Sequence, residues 1–242
     1  MLNAIFSDIH SNLQAYEAFI EDCKKEKIDK YYCVGDIVGY GANPRECIKL
    51  TKELDCPIVC GNHDWAVAGK LSTDYFNPRA KQAVLWTKAA IDEKDKNYLQ
   101  RLPFVYEERD FTLVHGSLNS PEEFNYILDL RSATYNISLQ KSKICFIGHS
   151  HVPVIFFKPK DNYANYITQM EIKIEPDILY LINVGSVGQP RDGDRRGCYC
   201  IYDDEKNSLH LKRYEYDIKS AGKAIIDAGL PPYLAHRLEK GR

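Results

Sequence analysis

Five of the seven histidines in this chain of 242 residues stand just beyond short apolar runs, and so do Asp8, Asp36 and Asn62. In chain order the segments read Phe6-Ser7-Asp8-Ile9-His10, Val34-Gly35-Asp36, Cys60-Gly61-Asn62-His63-Asp64, Val114-His115-Gly116 and Ile147-Gly148-His149-Ser150-His151. Together they offer carboxylate, imidazole and amide donors without clustered thiolates. That mixture suits Mn2+, Fe2+, Zn2+ or Ni2+, whereas Ca2+ takes oxygen donors alone. Asp8 and His10 alternate, so in a plain strand they share a face. His149 and His151 have the same spacing and could serve one ion each if the chain turns between them. Glycine precedes Asp36, Asn62 and His149 and follows His115. A residue without Cβ lets the backbone turn sharply and approach an ion closely. One histidine at a strand end is an ordinary surface or hydrogen-bonded residue. Five such segments in one alternating pattern point to a two-metal site.

Those segments need a scaffold that brings strand ends together. Residues 2–6 form a short apolar run and read as a strand. Leu13, Tyr16, Phe19, Ile20 and Cys23 recur at helical spacing, which predicts a helix over 12–26. Strands are expected at 31–34 and 57–60, with a helix from Asn43-Pro44 to about Leu54 between them. Glu46 is placed to close a capping box with Asn43. Strand and helix in alternation imply parallel pairing, and ligands bind at the carboxyl ends of parallel strands. Asn77-Pro78 opens a helix to about Ala90, a second helix covers 93–101, and Pro103 stops it. Strands at 104–107 and 111–114 flank a tight Arg109-Asp110 turn; a helix over 131–140 and a strand over 144–147 follow. The remainder is strand-rich, at 153–158, 168–174, 178–184, 197–203 and 208–214, with 159–167 a polar hairpin tip or loop. Asp217 caps a helix to Gly229, and 232–240 is a short helical tail. The expected architecture is one α/β domain over 1–242, with two layers of sheet and 217–242 as a C-terminal helical tail.

Hydrophobic residues make up 44% and charged residues 27%, a globular balance. A net charge of −2 argues against a general nucleic-acid binder. No run approaches the roughly 18 to 20 apolar residues that span a bilayer, and the N-terminus has no signal-peptide pattern. Eight dispersed cysteines read as reduced thiols of a cytoplasmic protein. Cys56-x3-Cys60 and Cys198-x-Cys200 fall in strand patterns and read as small buried hydrophobes.

At these residues the sequence resembles the calcineurin-like metallophosphoesterase superfamily. The family signature runs D-x-H, G-D, G-N-H-D/E, a lone H, then G-H-x-H, and every part is present in order between residues 8 and 151. The stretches 35–44 (GDIVGYGANP) and 183–192 (NVGSVGQPRD), with the tail 230–242, are similar to the small prokaryotic phosphodiesterase and phosphatase branch. The resemblance implies a four-layer αββα sandwich of two mixed sheets flanked by helices. It implies Asp8, His10 and His151 on one ion, Asn62, His115 and His149 on a second, and Asp36 bridging both. It makes His63 the histidine near the leaving group and Asp64 the acid that orients it. The implied cofactors are two divalent ions, Mn2+ foremost, with Fe, Zn or Ni as alternatives.

Two such ions lower the pKa of a bridging water and hold phosphoryl oxygens, so a hydroxide attacks phosphorus in line. A protonated His63 then donates to the leaving alkoxide, and a carboxylate at Asp64 would raise its pKa. The expected activity is therefore phosphodiester or phosphomonoester hydrolysis. A protein serine/threonine phosphatase or a nucleotide hydrolase would use the same centre. A non-catalytic scaffold of the same fold would have lost ligands, and none is missing. The expected partner is a small-molecule or phosphoprotein phosphoester, not a membrane or a nucleic acid; oligomeric state stays open.

Arg191 lies in a loop with Asp192, Asp194, Arg195 and Arg196. It reads either as a phosphate clamp or as part of a solvated charged turn. Tyr40 and Trp65 flank metal motifs and read as stacking platforms or as half-buried aromatics. The helices over 77–101 either form a lip over the site or cover a sheet face.

Overall fold

Side chains alternate across a strand, so a strand between a helix layer and a second sheet must be apolar on both faces. The computed structural model describes residues 1–160, 162–167 and 169–242, and its central strands show this pattern. The first half contains β1 (Leu2–Phe6), α1 (Leu13–Glu26), β2 (Lys30–Cys33), α2 (Pro44–Glu53), α3 (Asn62–Val67), α4 (Pro78–Ala90), α5 (Glu93–Gln100), β3 (Val105–Glu107) and β4 (Phe111–Val114). The second contains α6 (Leu130–Ser138), β5 (Ile144–Ile147), β6 (Val154–Pro159), β7 (Asn165–Ile167), β8 (Glu171–Lys173), β9 (Ile178–Asn183), β10 (Gly197–Asp203), β11 (Ser208–Tyr214), α7 (Ile218–Asp227) and α8 (Pro232–Lys240).

The strands form two mixed sheets, ordered β2-β1-β10-β11-β8 and β3-β4-β5-β9-β6-β7. β1 is parallel to β2, and β5 is parallel to both β4 and β9. Ile5 and Cys200 from the first sheet meet Leu113, Phe146 and Ile182 from the second in a shared inner core. Ala4, Phe6 and Tyr199 face the other way, onto Phe19 of α1, Ile48 of α2 and Ile225 of α7. Cys145, Ile147 and Leu181 face Ala133 and Ile137 of α6. The layers are thus helix, sheet, sheet, helix, as the resemblance implied. Among the described residues no helix is long and apolar enough to cross a membrane.

Three local expectations are corrected. Residues 57–60 do not form a regular strand; one parallel bridge joins Ile58 to Cys33. Pro57 has no N–H to add to a ladder, and the Cys60 amide turns away to the Pro103 carbonyl at 2.7 Å. The capping box at α2 is absent, because the Asn43 side chain makes no cap hydrogen bond and Pro44 alone sets the start. Part of the expected 159–167 loop is β7, while the strand expected over 168–174 is shortened to β8. Asp161, within that loop, and Thr168, at the start of that strand, lie outside the described residues.

Candidate metal centre

The parallel strands β1, β2, β4 and β5 end on one edge, and four of the five chemical segments leave from it. Asp8 and His10 follow β1, Asp36 follows β2, His115 follows β4, and His149 and His151 follow β5. Asn62 opens α3, so this segment lies in the first turn of a helix with Gly61 at its cap. Asp8, His10, Asp36, His149 and His151 all have left-handed backbone, with φ between 50° and 66°. Non-glycine residues adopt this region only at a cost, and they collect where function demands a particular side-chain direction. Cross-loop bonds hold the strained residues: Asp8 N–H to Gly35 C=O at 2.9 Å and His10 N–H to Asp36 C=O at 3.0 Å.

Three imidazoles are fixed by the same device. Nδ1 of His10 bonds the Val38 carbonyl at 3.1 Å, Nδ1 of His115 the Val34 carbonyl at 2.7 Å, and Nδ1 of His151 the Gln189 carbonyl at 2.6 Å. A carbonyl only accepts, so each Nδ1 carries a proton and each Nε2 is the nitrogen left to offer its lone pair to a cation, once any proton on it is displaced. Those lone pairs converge. Nε2 of His10 and Nε2 of His151 are 3.1 Å apart, with Asp8 Oδ1 at 3.6 Å and 3.2 Å from them. Asp36 Oδ2 lies 3.5 Å from His10 Nε2 and 3.4 Å from His115 Nε2. Asp8 Oδ1, Asn62 Oδ1 and His115 Nε2 are buried and have no hydrogen-bond partner. Facing acceptors in a buried site repel unless a cation sits among them.

Among the described residues, ligand-type atoms gather in three groups: Asp8, His10 and His151; Asp36, His115 and His149; and His10, Asp36 and His63. The donor set fits divalent cations, and Asp36 stands in two of the groups. Burial pushes His63, His149 and His151 down from the usual histidine value. Burial opposes ionisation of Asp36, but His115, His63 and His10 outweigh it and hold the carboxyl well below its usual range. Burial also works against a charged His115, yet Asp36 raises it to about 9.

The expectation that Asp64 orients the His63 ring is corrected. Asp64 Oδ2 accepts from the amides of Asp36 at 2.8 Å and Gly61 at 3.1 Å, and Oδ1 accepts from Val38 at 3.2 Å. Asp64 is the third residue of α3, where a carboxylate closes back on the helix cap, so it fastens the Asp36 loop to α3. Burial and the Asp36 charge raise it to about 7. His63 Nδ1 is buried without a partner. Its ring is held by packing, 4.4 Å from Tyr40, 4.8 Å from His10 and 5.0 Å from Phe76 between centroids. The His63 amide donates to Asp36 Oδ1 at 2.9 Å, which leaves Oδ2 for the centre.

At two glycines an added Cβ would press directly on the acidic ligands. A Cβ at Gly61 would lie 2.0 Å from Asp36 Oδ1, and one at Gly148 would lie 2.1 Å from Ser7 Oγ and 2.6 Å from Asp8 Oδ2. Gly148→Ala is therefore expected to push Asp8 out of line and cut metal content at a fixed metal concentration by about tenfold or more, on the scale of disturbed ligand support. Full metal occupancy in that variant, by elemental analysis after dialysis, would show that Asp8 tolerates the shift.

The centre opens into a cavity of about 580 Å³ lined by Asp36, Asn62, His63, His149, His151 and Arg191 among others. Arg191 is thus at the cavity and not in a solvated turn; its Nη2 donates to Gln189 Oε1 at 2.8 Å. Tyr40 also lines the cavity, whereas Trp65 packs edge-on against Phe104 at 4.8 Å. The start of α4 and the turn before it supply a lip through Tyr75, Phe76, Asn77 and Ala80. The opposite wall comes from residues 122–126, where Tyr126 stacks on His149 at 3.7 Å. No sequence signal marked that wall, because aromatic and acidic residues after a 3₁₀ turn have no period to read. The cysteines of both short motifs are free thiols, and those at 60, 198 and 200 are buried.

Known proteins place this geometry. Residues 1–207 match the model of the calcineurin-like phosphoesterase superfamily domain. An uncharacterized protein of Methanocaldococcus jannaschii is 41% identical over 99% of this chain and 98% of its own length. The crystal structure of a metallophosphoesterase from Sphaerobacter thermophilus is 37% identical, with a TM-score of 0.87 over 100% of both chains. A hypothetical protein of Pyrococcus horikoshii shares the fold at 20% identity, with a TM-score of 0.81 over 100% of this chain and 98% of that one. The chain belongs to the calcineurin-like phosphoesterase superfamily and is a phosphoester hydrolase of that metal-dependent family.

Proposed function

We propose that this hydrolase works with two divalent ions and cleaves small phosphodiesters or phosphomonoesters. Asp8, His10 and His151 would hold one ion, Asn62, His115 and His149 the other, and Asp36 would touch both. The observation that carries this reading is the convergence of buried lone pairs on either side of Asp36 Oδ2. When bound, the ions supply Lewis acidity toward the phosphoryl oxygens and make a water nucleophilic near neutral pH.

The chain's own residues do the rest. The carbonyls of Val38, Val34 and Gln189 hold three imidazoles in the tautomer that points Nε2 inward. Asp64 keeps the Asp36 loop and α3 in register through three amide bonds. His63 stands beside Asp36 at the cavity and donates a proton to the leaving oxygen. Burial lowers its pKa, while the negative charges of Asp36 and of an arriving phosphoester oppose that shift. Arg191 meets the substrate as a cation from the loop beyond β9. A cavity of about 580 Å³ suits a small molecule better than a folded phosphoprotein.

The test is a metal-reconstituted comparison of p-nitrophenyl phosphate, bis-p-nitrophenyl phosphate and cyclic nucleotides. Activity is expected to vanish with a chelator and return with added Mn2+, the weakest binder of the candidate ions and the one most readily lost. A full rate in chelated protein shown to be metal-free would end this reading.

A further inference from the structure

Arg191, from the loop after β9, and Arg237, from α8, converge on one aromatic ring. Their guanidinium carbons lie 5.5 Å and 5.8 Å from the centroid of Tyr40. The ring is a rigid platform, 4.4 Å from the His63 ring and 4.7 Å from the His10 ring between centroids. Of the other arginines, Arg196 pairs with Asp194 at 2.6 Å and Arg213 pairs with Asp192, while Arg79 stacks on Tyr233. Among the described residues neither Arg191 nor Arg237 has a side-chain carboxylate within salt-bridge distance.

Both are nevertheless held in place. Arg191 Nη2 donates to Gln189 Oε1, and the carbonyl of that buried residue holds His151. Arg191 Nε is buried and unpartnered. Arg237 Nε donates to the main-chain oxygen of Arg242, and its two terminal nitrogens make no hydrogen bond among the described residues. Burial, then the Arg191 charge, and to a lesser degree the Arg79 charge, push Arg237 down to about 10.

We infer that Arg191 and Arg237 form an anion subsite beside the metal centre that holds a second phosphoryl group of the substrate. The preferred substrates then carry a phosphate adjoining the one hydrolysed, as a nucleoside diphosphate does. Two guanidinium forks match a phosphate dianion in both charge and geometry, whereas a carboxylate would neutralise only one of them. The inference rests on the phosphoesterase reading above and assigns a substrate class to that site.

The test measures binding and turnover separately in the full metal-loaded chain. Adenosine monophosphate and the non-hydrolysable α,β-methylene analogue of adenosine diphosphate are titrated by calorimetry. The wild type is expected to bind the diphosphate analogue about tenfold to a hundredfold more tightly, the range of one or two charge-assisted bonds. Arg237→Gln, which keeps most of the stem without the charge, is expected to lose most of that preference, and Arg237→Lys to keep part of it. A wild-type ratio near one overturns the subsite whatever the variants do. So does an unchanged ratio in a folded Arg237→Gln protein. Tight diphosphate binding without hydrolysis of any phosphoester, under any metal, would remove the hydrolase reading and leave the subsite standing.

Discussion

Asp36→Asn is expected to lose on the order of 10³-fold in kcat/KM and most of its bound metal, because one side chain stands between two ligand groups. Asp36 Oδ2 lies 3.5 Å from His10 Nε2 and 3.4 Å from His115 Nε2. Asn keeps the shape but not the charge. Lewis-acid stabilisation is worth several kcal/mol, and each 1.36 kcal/mol is tenfold in rate. The change also has a pH signature. Asp36 raises His115 to about 9, so at neutral pH that imidazole carries a proton which an ion must displace. Metal affinity of the wild type should therefore climb as pH rises toward about 9, with proton release measurable by calorimetry in buffers of different ionisation enthalpy. In Asp36→Asn the climb should flatten, since His115 loses its carboxylate. Normal metal content and normal turnover in that variant would remove Asp36 from the centre.

His63→Ala is expected to separate substrates by leaving group. The ring is wedged between Tyr40, His10 and Phe76 and lines the cavity, while its backbone amide bonds Asp36. General acid catalysis contributes about 10²–10⁴-fold where the leaving group needs a proton. An alkyl phosphoester should lose roughly that much, and a p-nitrophenyl ester clearly less, because nitrophenolate leaves without help. Equal losses on both esters would remove the proton-donor role. His63 also shares a ligand-type group with His10 and Asp36, so metal analysis of the same variant decides a second question. Retained metal keeps His63 as the donor, and lost metal makes it a ligand. Asp64→Asn gives a contrast: with the carboxylate bonded to three backbone amides, it should lower thermal stability and affect both esters alike.

Much of the centre was legible in the chain because its parts are local. Five short segments, each an apolar run ending in Gly, Asp or His, announce strand ends; four of them do follow parallel strands, whose ends share an edge. The two-sheet architecture was legible for the same reason, since β1, β5 and β10 are apolar at successive positions and must be covered on both faces. What stayed hidden was non-local. Pro57 to Cys60 looks like a strand by composition, but the Pro103 carbonyl draws the Cys60 amide out of the sheet. Asp64 sits beside His63 in sequence, yet the cap of α3 and the Asp36 loop claim its oxygens.

The sequence by itself determined which donors exist and that they would meet, because side-chain chemistry and strand period are properties of single segments. Only the tertiary structure decided which nitrogen of each imidazole faces the centre, because carbonyls from Val38, Val34 and Gln189 choose the tautomer from other parts of the chain. It also drew Arg191 out of its charged turn and set Arg237 beside it on Tyr40. That pairing joins a loop to a helix 46 residues further on, counting from position 191 to 237, and no spacing rule spans such a distance. Charge at the rim depends on which arginines find acids, and that is settled by packing.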